Sequence, residues 1–404
     1  MPKNGETYSV FSTLLLALAT IACVITFFLF IFPDNDDSGD SETVASATDA
    51  PMEIKAPTKA PTPPKAPEGS EESIPVTITI DEPAGASITQ DTEELEEEKT
   101  EQAPKETLTA TPTVKPAEYV QIKGKQYNAE IETLELQGKQ LQGSDLASLK
   151  LLTNLRVLYL GLNQASDISH LSGLSNLTNL YLDGNQISNI KPLSELRNLT
   201  ALNVGYNQIS DISPLSGLVN LSDLNLNSNQ IRDINNIYNL RNLTELTLTN
   251  NMLTNVSALA QLKNLTKLGL STNQISDISP LAELKNLKSL ALTANKITNI
   301  SSLSQLTNLE ELFLDGNQIT DLSRISELKK ITRLTLNDNE ITGVRPLSEL
   351  KNLRVLFISN NPINDVSYLA YLPNLEFVDL HNTSISQEQV DFLGKALPNC
   401  SILY

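Results

Sequence analysis

The side chains best suited to nucleophilic, acid–base or metal chemistry are few in this sequence and far apart. Its two histidines are His170 and His381, and its two cysteines are Cys23 and Cys400. A zinc site needs several such ligands together, and a disulfide needs two cysteines that can meet. His381 follows Asp379 by two residues, but no nucleophile is specified beside this pair, as a catalytic triad requires. We therefore predict no metal, no cofactor and no enzymatic activity.

Two further polar patterns resemble known motifs but are explained by a repeat. Asp183-Gly184-Asn185 and Asp315-Gly316-Asn317 resemble fragments of a calcium-binding loop, yet the remaining ligands of such a loop are missing, so we interpret both as turns. The glycosylation acceptor pattern Asn-Leu-Thr begins at Asn176, Asn198, Asn242 and Asn264. These four asparagines occupy one position of the repeat, next to a core leucine, so the repeat consensus accounts for them.

The strongest signal is an asparagine that recurs with a 22-residue period, without insertion or deletion. Counted from it, apolar residues fall at −8, −5, −3, +2, +5, +8 and +11, and the alternation at −5 and −3 predicts a short strand. We predict that the asparagine ends the strand and turns inward, so that its amide bonds the backbone of neighbouring coils. These ladder asparagines are Asn163, Asn185, Asn207, Asn229, Asn251, Asn273, Asn295, Asn317, Asn339 and Asn361.

Prolines that follow the strand indicate a second element in each coil. Four prolines lie at +7, and two of them come directly after Ser213 and Ser279, which predicts a serine cap followed by a short helical turn. One such coil cannot bury its apolar face alone, so the coils must stack. The sequence predicts an α/β solenoid, a curved right-handed coil with a parallel sheet on its concave face and short helical or 3-10 segments outside.

The two ends of the array depart from the repeat, as caps do. Residues 119–133 predict an N-terminal hairpin, 134–383 the repeats and 384–404 a C-terminal cap. The first strand is expected at 134–136. In the C-terminal cap, the segment from Ser386 to Leu397 predicts an amphipathic helix that closes the core, with the following side chains beneath it or packed nearby: Ile402, Leu403 and Cys400.

The segment NQISDISPLSGLVNLSDLNLNSNQI, from Asn207 to Ile231, resembles the consensus of the bacterial internalin-type leucine-rich-repeat family. The resemblance runs from Leu134 to Leu380, about 60% of the chain. It implies an adhesin-like protein that binds a partner through the concave sheet. Arrays with a 22-residue unit also resemble intracellular phosphatase-regulator proteins, which leaves a cytosolic role as a less favoured alternative.

The N-terminal part predicts a membrane tether. Residues 10–32 are 23 consecutive residues without charge, and a helix of this length spans roughly 34 Å, enough to cross the bilayer core. Lys3 precedes the span and aspartates follow it, which places residues 1–9 in the cytoplasm and the rest outside. A cleaved signal peptide is the alternative, and Thr20-Ile21-Ala22-Cys23 weakly resembles a lipoprotein motif.

Residues 33–118 predict a disordered stalk between the span and the repeats. They hold 12 of the 20 prolines, and their 21 acidic and 6 basic residues carry most of the net charge of −19. Low hydrophobicity, high charge and scattered proline do not support a packed core. The acidity also argues against nucleic acid as a partner.

The concave face holds the residues that we expect to bind a ligand, because the positions −6, −4, −2 and −1 are free of the core requirement. Exposed aromatic side chains on a rigid sheet are typical anchors of a protein interface or a glycan platform, although they could also merely cover the sheet near its ends. The face is mildly acidic, which favours a neutral or basic partner. The candidate residues are Tyr159, Tyr181, Tyr206, Phe313, Phe357, Phe377, Asp183, Lys267, Asp315 and Arg333.

Together these features predict a single-pass membrane protein whose repeats face outside the cytoplasm. The expected function is recognition or adhesion of a protein or glycan by a monomeric ectodomain, with the bilayer contacted through residues 10–32. The alternative is a structural scaffold that binds other components of the cell envelope.

Overall fold

The computed structural model describes residues 119–404. The predicted cytoplasmic N-terminus (1–9), membrane span (10–32) and stalk (33–118) all lie outside the described residues. Among residues 119–404, no helix combines the length and the apolar character that a membrane crossing requires. The membrane tether therefore stays a prediction from sequence.

The described part begins with the predicted hairpin. Strands β1 (Tyr119–Ile122) and β2 (Lys125–Asn128) pair antiparallel. Lys123 and Gly124 connect them, both with positive φ, as a tight two-residue hairpin turn requires. Val120 and Ile122 are buried and cover the first coil of the solenoid.

Thirteen parallel strands form one sheet in which neighbours in sequence are neighbours in space. The first strand begins at Thr133, one residue before the predicted 134–136. In β3–β14 the middle residue is buried, while the first and third residues lie on the opposite face. The strands are β3 (Thr133–Glu135), β4 (Val157–Tyr159), β5 (Asn179–Tyr181), β6 (Ala201–Asn203), β7 (Asp223–Asn225), β8 (Glu245–Thr247), β9 (Lys267–Gly269), β10 (Ser289–Ala291), β11 (Glu311–Phe313), β12 (Arg333–Thr335), β13 (Val355–Phe357), β14 (Phe377–Asp379) and β15 (Ser401–Leu403).

Each strand from β3 to β13 is connected to the next through 3-10 structure, as the short repeat predicts. Twelve such segments lie among the described residues: Gly143–Leu146, Leu149–Leu151, Ser169–Leu171, Lys191–Leu193, Ser213–Gly217, Asn235–Ile237, Ser257–Gln261, Ser279–Glu283, Ser301–Gln305, Ile325–Glu327, Arg345–Glu349 and Ser367–Tyr371. A 22-residue coil leaves too little chain for a longer α-helix on this side.

The predicted serine caps of these segments are wrong. Ser213 is the first residue of its 3-10 segment, and its backbone N–H donates to the carboxylate of Asp211 at 2.8 Å. Ser279 donates in the same way to Asp277. The aspartate two residues earlier is therefore the capping side chain, in an Asx turn. The same bond recurs in coil after coil, with the acceptors Asp167, Asn189, Asp233, Asn255, Asn299, Asp321 and Asp365.

The C-terminal end combines a helix with an added strand. Helix α1 (Gln387–Ala396) buries Val390 and Leu393 against the last coils. Ile402 and Leu403 were expected beneath this helix, but they belong to β15, which pairs with β14 and extends the sheet. Ile402 is half-buried and Leu403 is exposed, because the strand alternation sends Leu403 to the outer face.

The ladder asparagines hold neighbouring coils together. In Asn185, the Nδ2 group donates to the carbonyls of Leu182 in its own coil and of Leu160 in the preceding coil, both at 3.0 Å. Its Oδ1 atom accepts the N–H of Ala165 at 2.9 Å. All ten ladder asparagines are buried. An amide is well matched to this position because it supplies donors and an acceptor from one planar group.

The residue before each ladder asparagine adopts a left-handed backbone conformation. Across the ten coils its φ lies between 52° and 64°. Only Gly184 and Gly316 are glycines, so most coils hold a side chain in a conformation that costs roughly 1–2 kcal/mol. Bonds to the next coil keep it there: the N–H of Thr272 donates to Thr293 O at 2.7 Å. The turn rotates the chain so that the following asparagine points into the core.

Replacing one ladder asparagine should destabilise the solenoid by leaving its backbone partners unpaired. We expect Asn251→Ala to lower the free energy of unfolding by about 1–3 kcal/mol. Leu246→Ala should cost roughly 2–5 kcal/mol, because Leu246 is fully buried and its truncation leaves a cavity. Chemical denaturation measures both changes. Thr254→Ala, at an exposed position of the same coil, is the matched control, and an equal loss there would contradict the assigned register.

Candidate binding surface

The face of the sheet that points away from the leucine core is the candidate site. We call it the strand surface, and it consists of the first and third residues of strands β3–β15. With neighbouring strands about 4.8 Å apart, thirteen strands extend over roughly 58 Å. In neighbouring strands, equivalent residues of the repeat lie opposite each other, so equivalent positions of successive coils form straight rows.

Two tyrosines mark one end of the strand surface. Tyr159 and Tyr181 are the third residues of β4 and β5 and are direct partners in the register. Their rings are stacked, with centroids 4.7 Å apart and planes only 4° from parallel. We call them the tyrosine pair.

Tyr206, another candidate residue of the sequence analysis, lies outside the strand rows. It is exposed, but it lies in the turn after β6, in the left-handed position before Asn207. The strand ends at Asn203, so positions −2 and −1 belong to the turn and not to the rows of the strand surface.

An arginine between phenylalanine rings marks the other end. Phe313 of β11 and Phe357 of β13 flank Arg333 of β12, whose guanidinium carbon lies 5.8 Å and 5.7 Å from the two ring centroids. Phe377 of β14 continues the group, 5.1 Å from Phe357. We call these four residues the Phe–Arg cluster. Between the two flanking rings lies Thr335, a small side chain that is only 5% exposed and leaves room for the guanidinium.

Small and charged side chains fill the rows between the two aromatic groups. The third residues of β6–β10 are Asn203, Asn225, Thr247, Gly269 and Ala291. In the other row, Lys267 lies 3.6 Å from the carboxylate of Glu245. Burial raises the pKa of Asp223, and the neighbouring charge of Glu245 raises it further.

The six strand steps from Tyr181 to Phe313 place the two aromatic groups about 29 Å apart.

Asp183 and Asp315 are less available for ligand binding than the sequence predicts. Both lie at position −2, in the turn. Asp183 accepts the amide of Asn203 at 3.1 Å. Asp315 accepts the hydroxyl of Thr335 and the backbone N–H of Asn337, the latter at 3.0 Å. Burial raises the pKa of both carboxyls. These aspartates therefore brace the turns beside the strand surface.

Two side chains with reactive groups, His381 and Cys400, lie near the C-terminal end of the described residues. His381 Nδ1 and Asp379 Oδ1 are 2.7 Å apart, where β14 ends. Burial raises the pKa of the Cys400 thiol to about 11, which keeps it protonated and weakly nucleophilic at neutral pH.

Sequence analysis missed a second row of asparagines at position −9. The Nδ2 group of each donates to the carbonyl 23 residues earlier, in the preceding coil, at 2.8–2.9 Å. The recurrence of these asparagines every 22 residues was the sequence signal that could have revealed this row. The row explains the four Asn-Leu-Thr tripeptides, because the nitrogen that a glycan would occupy already bonds the backbone. Its members are Asn176, Asn198, Asn220, Asn242, Asn264, Asn286, Asn308, Asn352 and Asn374.

The two kinds of aspartate predict opposite responses to pH. The raised pKa of Asp315 means that its stabilising contribution is present below about pH 4 and is lost as pH rises through the folded-state pKa. We therefore expect the free energy of unfolding of Asp315→Asn, taken relative to that of the wild type, to be higher at pH 7 than at pH 3. Urea denaturation at both pH values measures the difference.

Asp321→Asn is the matched control for this prediction. Hydrogen bonds from Ser323 lower the pKa of Asp321, so its contribution is present above its ordinary pKa and is lost as pH falls. The free energy of unfolding of the Asp321 variant, taken relative to that of the wild type, should therefore be lower at pH 7 than at pH 3. The same sign of change in both variants would contradict the assignment.

Known proteins share this architecture. The family model described as "Leucine Rich repeats (2 copies)" matches eight stretches, most of them overlapping, from 175–217 to 351–395. A second leucine-rich-repeat model matches residues 129–187. A comparison with curated protein sequences gave no match.

Among solved structures, an internalin (inlF) from Listeria monocytogenes is 35% identical, with 69% of this chain and 83% of that chain covered and a TM-score of 0.67. The functional domain of InlJ from the same organism is 25% identical, with coverage of 58% and 51% and a TM-score of 0.52. A leucine-rich-repeat protein of Leptospira interrogans, 24% identical with coverage of 68% and 96% and a TM-score of 0.52, shares the fold. The chain belongs to the leucine-rich-repeat proteins, as a bacterial internalin-like member.

Proposed function

We propose that this protein is a recognition protein of the cell surface that binds a protein partner across its strand surface. The observation that carries the proposal is the pair of aromatic groups on one rigid sheet, the tyrosine pair and the Phe–Arg cluster. Tyrosine, phenylalanine and arginine are enriched at protein interfaces, and tyrosine and arginine are frequent hot spots. The resemblance to internalins, which implies adhesion through the sheet, agrees with this assignment.

The dimensions of the strand surface favour a macromolecular partner. The two aromatic groups lie about 29 Å apart, so a ligand that contacts both must extend over six strand spacings. A standard protein interface buries roughly 800 Å² on each partner, which a surface of this length accommodates. The asparagine ladders fix the backbone before binding, so little conformational entropy is lost when the partner docks.

We also propose that residues 10–32 tether the repeats to the membrane, with residues 33–118 as a spacer. The supporting observations are the 23 uncharged residues and the acidic, proline-rich segment after them. In this arrangement the strand surface faces outside the cytoplasm, where a surface partner is accessible.

Removal of one anchor from each aromatic group tests the binding proposal. The full-length chain is used to capture partners, which mass spectrometry identifies, in wild-type and Tyr181→Ala/Phe313→Ala forms. We expect one specific partner to be lost from the double variant, because truncation of a buried hot-spot side chain costs about 2 kcal/mol, roughly 30-fold in affinity.

The matched control replaces two aromatic residues that lie off the strand surface. Tyr238 and Tyr371 are 48% and 64% exposed and follow or end 3-10 segments, so Tyr238→Ala/Tyr371→Ala should retain the partner. An unchanged set of partners for the strand-surface variant would reject the site. Retention of several envelope proteins or wall polymer by all three forms would instead support a structural scaffold.

Protease treatment of intact cells tests the proposed location. Cleavage at lysine and arginine residues after position 119 should occur without disruption of the membrane, because the repeats are proposed to lie outside. Full protection until the cells are lysed would place the repeats in the cytosol and would contradict the tether orientation. A cytosolic marker protein, protected in the same sample, is the control.

A further inference from the structure

The Phe–Arg cluster contains a cation whose side chain contacts two rings but no charged group. Within residues 119–404, the Arg333 side chain has no hydrogen bond and no carboxylate within 4.0 Å. Its fixed contacts are the cation–π contacts with Phe313 and Phe357. It is also exposed, so the donors of its guanidinium remain accessible from outside.

Several other basic side chains of the solenoid lie beside carboxylates. Arg354 forms a bidentate pair with Glu376, with the shortest distance 2.7 Å, and Arg156 lies 3.5 Å from Glu132. On the strand surface itself, Lys267 lies 3.6 Å from Glu245. Lys267 and Arg333 are the two basic residues of the strand surface, and only Lys267 has a carboxylate partner within 4.0 Å.

The missing ion pair is not explained by a lack of nearby carboxylates. Glu311 is the direct neighbour of Arg333 in the strand register, yet its carboxylate accepts the hydroxyl of Ser289 on the other side, at 3.0 Å. Asp315 is bonded to Thr335 and Asn337. The carboxylates of Glu311 and Asp315 are thus directed elsewhere, and the guanidinium is left to an external acceptor.

The two phenylalanines restrict the arginine before any partner binds. A guanidinium is a planar group with five donors whose fork matches a carboxylate through two parallel hydrogen bonds. Rings on both sides limit its rotation, which reduces the entropy lost when such a pair forms. The rings also exclude water from the flanks of the pair, and this strengthens its electrostatic attraction.

We propose that Arg333 binds an aspartate or glutamate side chain of the partner protein, whose flanking apolar residues pack on Phe313 and Phe357. This inference rests on the proposed function and adds the chemistry of one contact. A carboxylate fits better than a phosphate group, because one arginine supplies the only cation of the cluster, Glu311 is its direct neighbour in the strand register and Asp315 bonds Thr335 of the same strand. These acids would repel a dianion more strongly than a single negative charge.

The experiment uses a displayed library of random 12-residue peptides, selected on the immobilised full-length chain. Peptides that bind the wild type but not Tyr181→Ala/Phe313→Ala are retained, because they depend on the strand surface. Each retained peptide with an acidic residue is then synthesised with that residue as Glu and as Gln. Fluorescence anisotropy measures the affinity of both peptides for the wild type, Arg333→Met and Arg354→Met. Unfolding of Arg333→Met is measured in parallel to show that the fold is kept.

We expect the change from Glu to Gln in the peptide to weaken binding to the wild type by roughly 10- to 100-fold, as loss of a charge-assisted hydrogen bond predicts. On Arg333→Met the two peptides should bind equally, since the methionine keeps the apolar contacts without the charge. Arg354→Met, which removes a paired arginine off the strand surface, should behave as the wild type. This comparison is a double-mutant cycle and isolates the pairwise contact.

The outcomes separate this inference from the proposed function. If retained peptides show no acidic preference, or if the Glu-to-Gln loss persists on Arg333→Met, the assignment of Arg333 is wrong while binding across the strand surface stands. If every enriched peptide binds Tyr181→Ala/Phe313→Ala as well as the wild type, the strand surface is not the binding site and both proposals fail.

Discussion

The amide of the ladder asparagine is the interaction on which the rest of the solenoid depends. It joins the backbone at the end of one strand to the backbone of the preceding coil, in a buried place where an unpaired polar group is costly. Because the bond recurs once per coil, it fixes neighbouring coils in one register. The leucine interior supplies the bulk of the stability, but leucines alone would allow neighbouring coils to slide past each other. The amide hydrogen bonds prevent this movement because they pair particular backbone groups.

The ladder and core follow directly from residue spacing, since the 22-residue interval and the alternation of leucines both reflect contacts within and between identical coils. The backbone conformation of the turn after each strand was less predictable. Sequence spacing alone does not show that the residue before each ladder asparagine has positive φ, a conformation that places Tyr206 in a turn. It also does not show that Asp183 accepts a hydrogen bond from Asn203. The helical caps were missed for a related reason: Asp211 and Ser213 are both capping residue types, and only the turn geometry selects the aspartate.

The strand surface and the ladders use separate side chains for separate tasks. Positions −5, −3 and 0 point into the core, whereas Tyr181 and Arg333 stand on the opposite face and take no part in either asparagine row. Their replacement therefore leaves the coil intact. Thr335 shows where the two tasks meet: it is buried under the Phe–Arg cluster and bonds Asp315. A larger residue there would displace the guanidinium and disturb the adjoining turn together.

Uniform coils have a consequence for how such a surface can change over time. Every internal coil bonds the preceding coil through the same amide and offers the same backbone groups to the asparagine of the following coil, so loss or gain of one complete 22-residue unit re-forms an equivalent junction. Insertion or loss between the two aromatic groups would alter their separation in increments of about 4.8 Å. The distance between anchors is thus adjustable in discrete lengths, independently of the chemistry of each anchor.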